Sequence, residues 1–318
     1  MRITRRALPI LLAAAGSVAR AETPIRVGQL RFGSLAWELD VMRRHGLVRN
    51  FALEPVEFAA GPASQVALQA GRVDVVLQDW LWVSRQRASG AELTAAPVPA
   101  ALGAVMVPAE SAVRSLADLR GKRLGVAGGP IDKSWLLLRL YARQAGIELE
   151  TAVEPVFGAP PLLAEQLRAG RLDAALTYWP FAARGEALGL RPMLEMAAVV
   201  AALGLPRDLP MLAFVFSRPW AEANRPAVEA FLSAARAARA IMLQSDAEWE
   251  QIGPLTGARD EAELERLRTR YRSGFPGDWT AEKAAAAGKL FTLLAGVGGA
   301  DLVGSQTQLT PGTFWPAA

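Results

Sequence analysis

The sequence predicts an α/β protein of two lobes, each a mainly parallel sheet flanked by helices, with a cleft between them. Three observations carry that expectation. Short apolar runs alternate with helix-period segments from Ile25 onward, the pattern of strand–helix–strand units. The chain has 318 residues, more than one hydrophobic core holds comfortably. A sixteen-residue unit also occurs twice, about a hundred residues apart.

Ile25–Leu30 (IRVGQL) reads as the first strand, Gly33-Ser34 as the loop after it and Leu35–His45 as a helix. Phe51–Phe58 is a second strand, and Gly61-Pro62-Ala63-Ser64 opens a helix that runs through Ala70. Val73–Gln78 is short and apolar, a buried strand. Leu119–Ala127 reads as turn then strand, and Gly128-Gly129-Pro130 leads into a helix near Ser134–Ala145. Leu102–Pro108 and Met211–Ser217 are apolar, extended and followed by Ser/Pro turns, which marks them as crossings between the lobes. After Pro219 the chain becomes helical and alanine-rich over Arg225–Gln244, Ala258–Arg272 and Ala281–Ala295, helices expected to brace the outside of the first lobe. The expected division is a leader at 1–21, a first lobe at 22–103, a second lobe at 104–210, and a return to the first lobe with C-terminal helices at 211–318.

The repeat aligns Gln65–Trp80 (QVALQAGRVDVVLQDW) with Ala164–Trp179 (AEQLRAGRLDAALTYW) without gaps, and seven positions agree. Its physical content is a helix ended by a glycine, a tight turn and a buried strand. Each copy delivers a tryptophan to the carboxyl end of its strand, the end where open α/β sheets bind ligands. Asp74 and Asp173 are expected to fix the glycine turns.

Composition removes several function classes. The chain has no cysteine, which excludes disulfides, thiolate metal sites and a cysteine nucleophile, and a single histidine, His45. His45 ends a helix, where a cation is favourable. Hydrophobic residues are 52% and charged residues 21%, a folded and not a disordered composition. Arg2, Arg5 and Arg6 precede the apolar run Ala7–Gly16, and Ala19-Arg20-Ala21 forms a small-x-small site, the layout of a secretory leader cleaved near Ala21. Cleavage would remove four arginines and no acid, so Lys+Arg falls from 35 to 31 against 31 Asp+Glu. The formal +4 is thus a leader property, and nucleic-acid binding loses its support. No later segment reaches about 18 uninterrupted apolar residues, so the mature chain is expected to be soluble and periplasmic.

Candidate ligand contacts follow from position at strand ends. In the first lobe they are Arg31, Gly33, Ser34 and Trp37, then Gly61 and Ser64, then Asp79, Trp80 and Trp82. In the second they are Gly128, Gly129, Asp132, Lys133, Ser134 and Trp135, then Phe157 and Gly158, then Tyr178 and Trp179. The glycine loops precede helices, whose first N–H groups suit an anion, although ordinary capping accounts for them equally. Nine tryptophans against three tyrosines suggest a ring-lined cleft, or simply inward packing for Trp37 and Trp135. Asp132 reads equally as a helix N-cap, and Lys133 as a solvated residue. No carboxylate cluster with metal-ligand spacing and no cofactor fingerprint is present, so neither metal nor cofactor is expected.

The segments Ile25-Arg26-Val27-Gly28, Ala70–Val75, Leu116–Val126 (LADLRGKRLGV) and Ala169–Ala174, with Tyr178-Trp179-Pro180, occur in order along nearly the whole mature chain. In them the chain resembles the solute-binding proteins of bacterial ABC importers, of the nitrate/sulfonate/taurine type. The resemblance implies a type II periplasmic binding-protein fold and a monomer that is not an enzyme. It also implies closure of the lobes by a hinge around a small solute, a sulfonate-like anion or a planar heterocycle, which is handed to a permease and served indirectly by its ATPase. The rival expectation is a dehydratase of the same two-lobe shape, from menaquinone-precursor synthesis, which requires the leader to be retained. An amine or other cation also remains open as the ligand, on the strength of Asp79.

Overall fold

The computed structural model describes residues 23–31, 33–274 and 277–316, so the leader read in residues 1–21 lies outside the described residues. The chain opens with β1 (Thr23–Leu30), α1 (Leu35–Arg44), β2 (Phe51–Phe58), α2 (Gly61–Gln69), β3 (Val75–Asp79), α3 (Trp80–Ala88) and β4 (Leu93–Val98). Next come β5 (Ala104–Pro108), β6 (Arg123–Ala127), α4 (Lys133–Gln144), α5 (Leu149–Ala152), β7 (Glu154–Gly158) and α6 (Pro160–Arg168). They are followed by β8 (Ala174–Thr177), α7 (Trp179–Ala187), β9 (Leu190–Glu195) and α8 (Met196–Ala202). The chain closes with β10 (Leu212–Ser217), α9 (Arg218–Ala223), α10 (Arg225–Gln244), α11 (Asp246–Thr256), α12 (Glu261–Ser273) and α13 (Ala281–Val303).

The strands form two five-stranded sheets, ordered β2-β1-β3-β10-β4 and β7-β6-β8-β5-β9. Position by position the two orders are equivalent. In each, three strands run parallel and the fourth, β10 or β5, is antiparallel to both neighbours. Leu102–Pro108 and Met211–Ser217, expected as crossings, are therefore mostly strands: the chain crosses just before them, and each is then built into the sheet it has entered. Their apolar character has that cause, since Val105, Val107, Ala213 and Val215 are fully buried.

The repeat is real in three dimensions. Gly71 (φ +65°) and Gly170 (φ +68°) both take the left-handed conformation that ends α2 and α6. Asp74 and Asp173 each accept the backbone N–H of the residue just before the paired stretch of the neighbouring strand, Arg26 and Arg123, at 2.8 Å. They tie strand to strand and do more than hold a turn.

The C-terminal helices do not confine themselves to the first sheet, as the sequence suggested. α10 and α11 pack on α1, but α12 packs on α7, and α13 packs on both α3 and α4. Arg184 pairs with Glu263, and Arg270 of α12 bonds Glu186 at 2.8 Å and Glu195 at 2.9 Å. One continuous core cluster consequently takes in Val76 and Trp80, Leu124, Trp135 and Leu176, and Leu290, Phe291 and Leu294 of α13. α13 is long and apolar enough to cross a membrane by length and composition. Those three side chains are buried, and α13 packs on α3 and α4, so one side of the helix joins the core.

Candidate functional site

The register aligns the carboxyl ends of the parallel strands. Leu30 is opposite Phe58, and Gly28 is opposite Val76, so β1, β2 and β3 end together. The second sheet repeats this, with Val126 opposite both Phe157 and Leu176. At these ends the two sheets meet. Asp79, the last residue of β3, caps α3 by accepting the Trp82 N–H at 2.8 Å and has its other oxygen 3.3 Å from Lys133 Nζ on α4. Next to Lys133, Asp132 caps α4 by accepting the Ser134 N–H at 2.9 Å and accepts the Tyr178 hydroxyl at 2.9 Å. Side chains from β3–α3, β6–α4 and β8–α7 thus form one polar cluster across the two sheets. Gly128 makes room for it: a Cβ there would lie 2.9 Å from the Tyr178 hydroxyl and 3.0 Å from Asp132 Oδ2.

Burial sets the protonation of the cluster. It raises the Asp132 carboxyl above the ordinary range, against the opposing pull of Lys133, the Tyr178 hydroxyl and the backbone N–H groups. It also pulls the Lys133 ammonium down, but the Asp79 and Asp132 carboxylates outweigh it and the net direction is up. Burial and the Asp132 charge push the Tyr178 phenol far up, so at neutral pH it is a donor. Lys133 is a cation throughout the neutral range, held by a carboxylate that belongs to the other sheet.

The remaining candidates fall into two groups. At the strand ends, Arg31 is exposed and bonds Glu57 at 2.8 Å. Gly33 and Ser34 lead into α1, and Gly61 opens α2; neither helix has a side-chain cap on its first N–H groups. Gly129 accepts the Asp132 N–H at 2.9 Å and so closes the loop before α4. The main chain of Gly158 accepts the Gly128 N–H at 3.1 Å. Phe157 and Tyr178, 37% and 38% exposed, are the most exposed aromatic side chains among the described residues at these ends. Ser64 is buried, donating to Gly61 O at 2.8 Å and accepting from Gln78 Nε2 at 2.9 Å.

The tryptophans form the second group, and here the structure departs from the expectation of a ring-lined cleft. Trp80 is fully buried, its indole N–H bonded to Pro210 O at 2.8 Å and its ring edge-on to Phe314. Trp82 and Trp135 are core residues, Trp135 with Phe157 against its ring. Trp37 lies between Trp179 and Trp249, with ring centroids 5.9 and 6.0 Å away, and Trp179 also meets Tyr271. These indoles lie on the buried sides of α1, α3, α4 and α7, where apolar area removed from water stabilises the fold. In this arrangement none offers a free face.

Gln78, which bridges Gly61 O, Ser64 and Gln65, was not among the candidates. Its polarity near the end of an otherwise apolar strand was the available signal. His45 bonds Glu248 at 2.8 Å at the end of α1, away from the cluster. Among the described residues, no group of three or more His, Cys, Asp or Glu is placed to hold a metal ion.

Comparison with known proteins agrees with this architecture. The periplasmic aliphatic sulphonate binding protein of Escherichia coli superposes with a TM-score of 0.73, at 21% identity over 93% of this chain and 92% of that one. The alkanesulfonate-binding protein of Xanthomonas axonopodis pv. citri, bound to MOPS, gives 0.71 at 21% identity, covering 93% and 99%. The fold is that of the periplasmic binding proteins. In sequence, a putative binding protein of Brucella abortus is 29% identical over 188 residues, 56% of each chain, so this chain spans about half the length of that curated relative. A putative aliphatic sulfonates-binding protein of Escherichia coli K12 is 29% identical over 130 residues, 40% of each. The profile described as NMT1/THI5 like matches residues 54–248, well over half of this chain, which therefore belongs to the NMT1/THI5-like family.

Proposed function

We propose that the chain is the solute-binding component of an ABC-type importer, exported to the periplasm, where it captures a small organic anion of sulfonate type and delivers it to a permease. The observation that carries this reading is the placement of Lys133 at the carboxyl ends of both sheets, neutralised by Asp79 from across the cleft. Residues 22–103 with the return from 211 form one lobe in this reading, and 104–210 the other. Opening about the two connections carries Asp79 away with its own lobe and leaves Lys133 to an incoming anion. The uncapped first turns of α1 and α2 face the same edge and offer N–H donors. Phe157 and Tyr178 supply surface for an alkyl or planar body. A planar heterocycle has less support than the sequence suggested, because the indoles expected to stack on it are occupied. Closure is favoured only so far as the solute contacts both lobes better when they are shut.

The test is thermal unfolding of the chain from Glu22 against a panel of sulfonates, taurine, nitrate, aromatic acids, thiamine precursors and amines. A true ligand at a hundred times its Kd adds about 2.7 kcal/mol. The same ligand should lose about 1.5–3 kcal/mol of binding in Lys133→Gln, by the usual worth of a charge-assisted bond. Stabilisation by amines alone, or a sulfonate that binds equally well without Lys133, would overturn the anion reading. Turnover of a dehydratase substrate would replace the importer reading with an enzyme.

A further inference from the structure

A cavity of about 580 Å³ lies on the α10 side of the first sheet, and none of its lining residues belongs to the Asp79–Lys133 cluster. Its walls are the end of β4 with Pro99, Phe214 of β10, the Arg236 and Arg239 turns of α10, and the chain at Asp278-Trp279. The volume is that of a small-molecule site. Arg239 is its unusual member. The side chain is 8% exposed and its Nε donates to Glu38 Oε2 at 2.9 Å. The guanidinium lies over Phe214, with Cζ 5.6 Å from the ring centroid, and Nη2 is buried without a hydrogen-bond partner among the described residues. A guanidinium carries five donors, and a buried one left unmade is costly. Arg236, one turn earlier on the same face of α10, is exposed and has no ion pair among the described residues. Asp278 is the one acidic residue among the described residues of the lining.

We propose that this cavity is a second binding site, for a small organic carboxylate. The planar fork of an arginine matches a carboxylate, which Arg239 meets from the buried end and Arg236 from the open end. Phe214, Trp279 and Pro99 receive an apolar or aromatic body. The site stands apart from the solute cleft and does not depend on the importer reading.

The experiment uses para-fluorobenzoate as the probe and follows its fluorine NMR signal on titration with the intact chain. Saturable line broadening is expected, with a Kd below about 10 mM. Arg236→Ala, an exposed change on the surface of α10, should raise the Kd about tenfold or more, the worth of one charge-assisted bond. Trp279→Ala should raise it less, and Lys133→Gln, in the cleft, should leave it unchanged. Arg239→Lys keeps the charge opposite Glu38 but loses the fork, and should also weaken the probe. Absence of saturable broadening would overturn the proposal, as would an unaltered Kd in Arg236→Ala. Loss in Lys133→Gln would assign the probe to the cleft and overturn it equally. Displacement by an equal concentration of inorganic sulfate would overturn the choice of an organic carboxylate.

Discussion

Trp80 and Trp179 stand at the same point in two copies of one unit, the first residue of the helix after the strand, yet their surroundings differ. Trp80 stays close to its own sheet, hydrogen-bonded to Pro210 just before β10 and packed on Phe314. Trp179 follows a strand of the second sheet but is seated among Trp37 of α1, Trp249 and Tyr271, in the core cluster of the first. The aspartates differ likewise. Asp74 accepts three bonds from Arg26, one from the backbone and two from the guanidinium at 2.9 and 2.6 Å, whereas the Arg123 side chain stands 3.6 Å from Asp173. The repeated residues encode a backbone unit, helix–glycine–strand. What each unit does is decided by neighbours the repeat does not contain.

The sharpest way to break this comparison is to truncate both rings. Trp80→Ala should cost about 3–5 kcal/mol in urea unfolding, since it empties a fully buried volume and leaves Pro210 O without its donor. Trp179→Ala should cost about 2–4 kcal/mol, because Trp179 is 7% exposed where Trp80 is fully buried. Equal costs, or the reverse order, would mean that the two sites are energetically equivalent despite their contacts. The aspartates give the next contrast. Asp74→Ala should cost about 2–3 kcal/mol and Asp173→Ala about 1 kcal/mol, following the number of bonds lost and the burial of each carboxylate, 7% against 33% exposed. Matching losses would show that the backbone bond alone carries the value of the unit.

Much of this architecture was legible beforehand because it is local. Strand–helix alternation, the glycine turns, the Asp132 cap and the equivalence of the two units all rest on periodicity or on residues a few positions apart. The site was half legible for the same reason: strand ends name the loops, but do not say which side chains leave the core. Nine tryptophans suggested a ring-lined cleft, whereas long-range partners such as Pro210 and Trp249 draw the indoles inward, and no periodicity reveals those partners. The Asp79–Lys133 pair could not be foreseen as a pair, since it joins residues 54 positions apart that belong to different sheets. α11 was missed because Gly253 and Pro254 lie inside it, and the spread of α12 and α13 across both sheets because the period of a helix marks its packing face but not the partner of that face.

The cluster itself can be probed by pH. Asp132 holds its proton more tightly in the folded chain than in the unfolded one, because burial raises it. Its contribution to stability is therefore fully present below the ordinary carboxylate range, about pH 4, and is lost as pH rises through the raised folded value. Asp132→Asn keeps an N-cap acceptor and removes this titration. Relative to that variant, the natural chain should lose stability as pH climbs from about 4, then level off once Asp132 is ionised in both states. Urea unfolding at a series of pH values checks it, and parallel curves would mean that Asp132 titrates alike in both states.

The smallest expected effect belongs to the link between the sheets. Asp79→Asn retains the cap on α3, since an amide oxygen can still accept the Trp82 N–H, but removes the charge that faces Lys133. A pair of this kind is worth about 0.2–1 kcal/mol, and because it is partly buried, salt weakens it less than it would an exposed pair. The contrast with the seam at Trp179 then becomes quantitative. If the rings hold the two halves together, Asp79→Asn leaves stability almost unmoved while freeing Lys133, and sulfonate affinity rises because the incoming anion no longer displaces a built-in one. If stability falls by several kcal/mol instead, the ion pair and not the aromatic seam is the principal bond between the two sheets, and Lys133 has a structural duty that an anionic solute would have to replace.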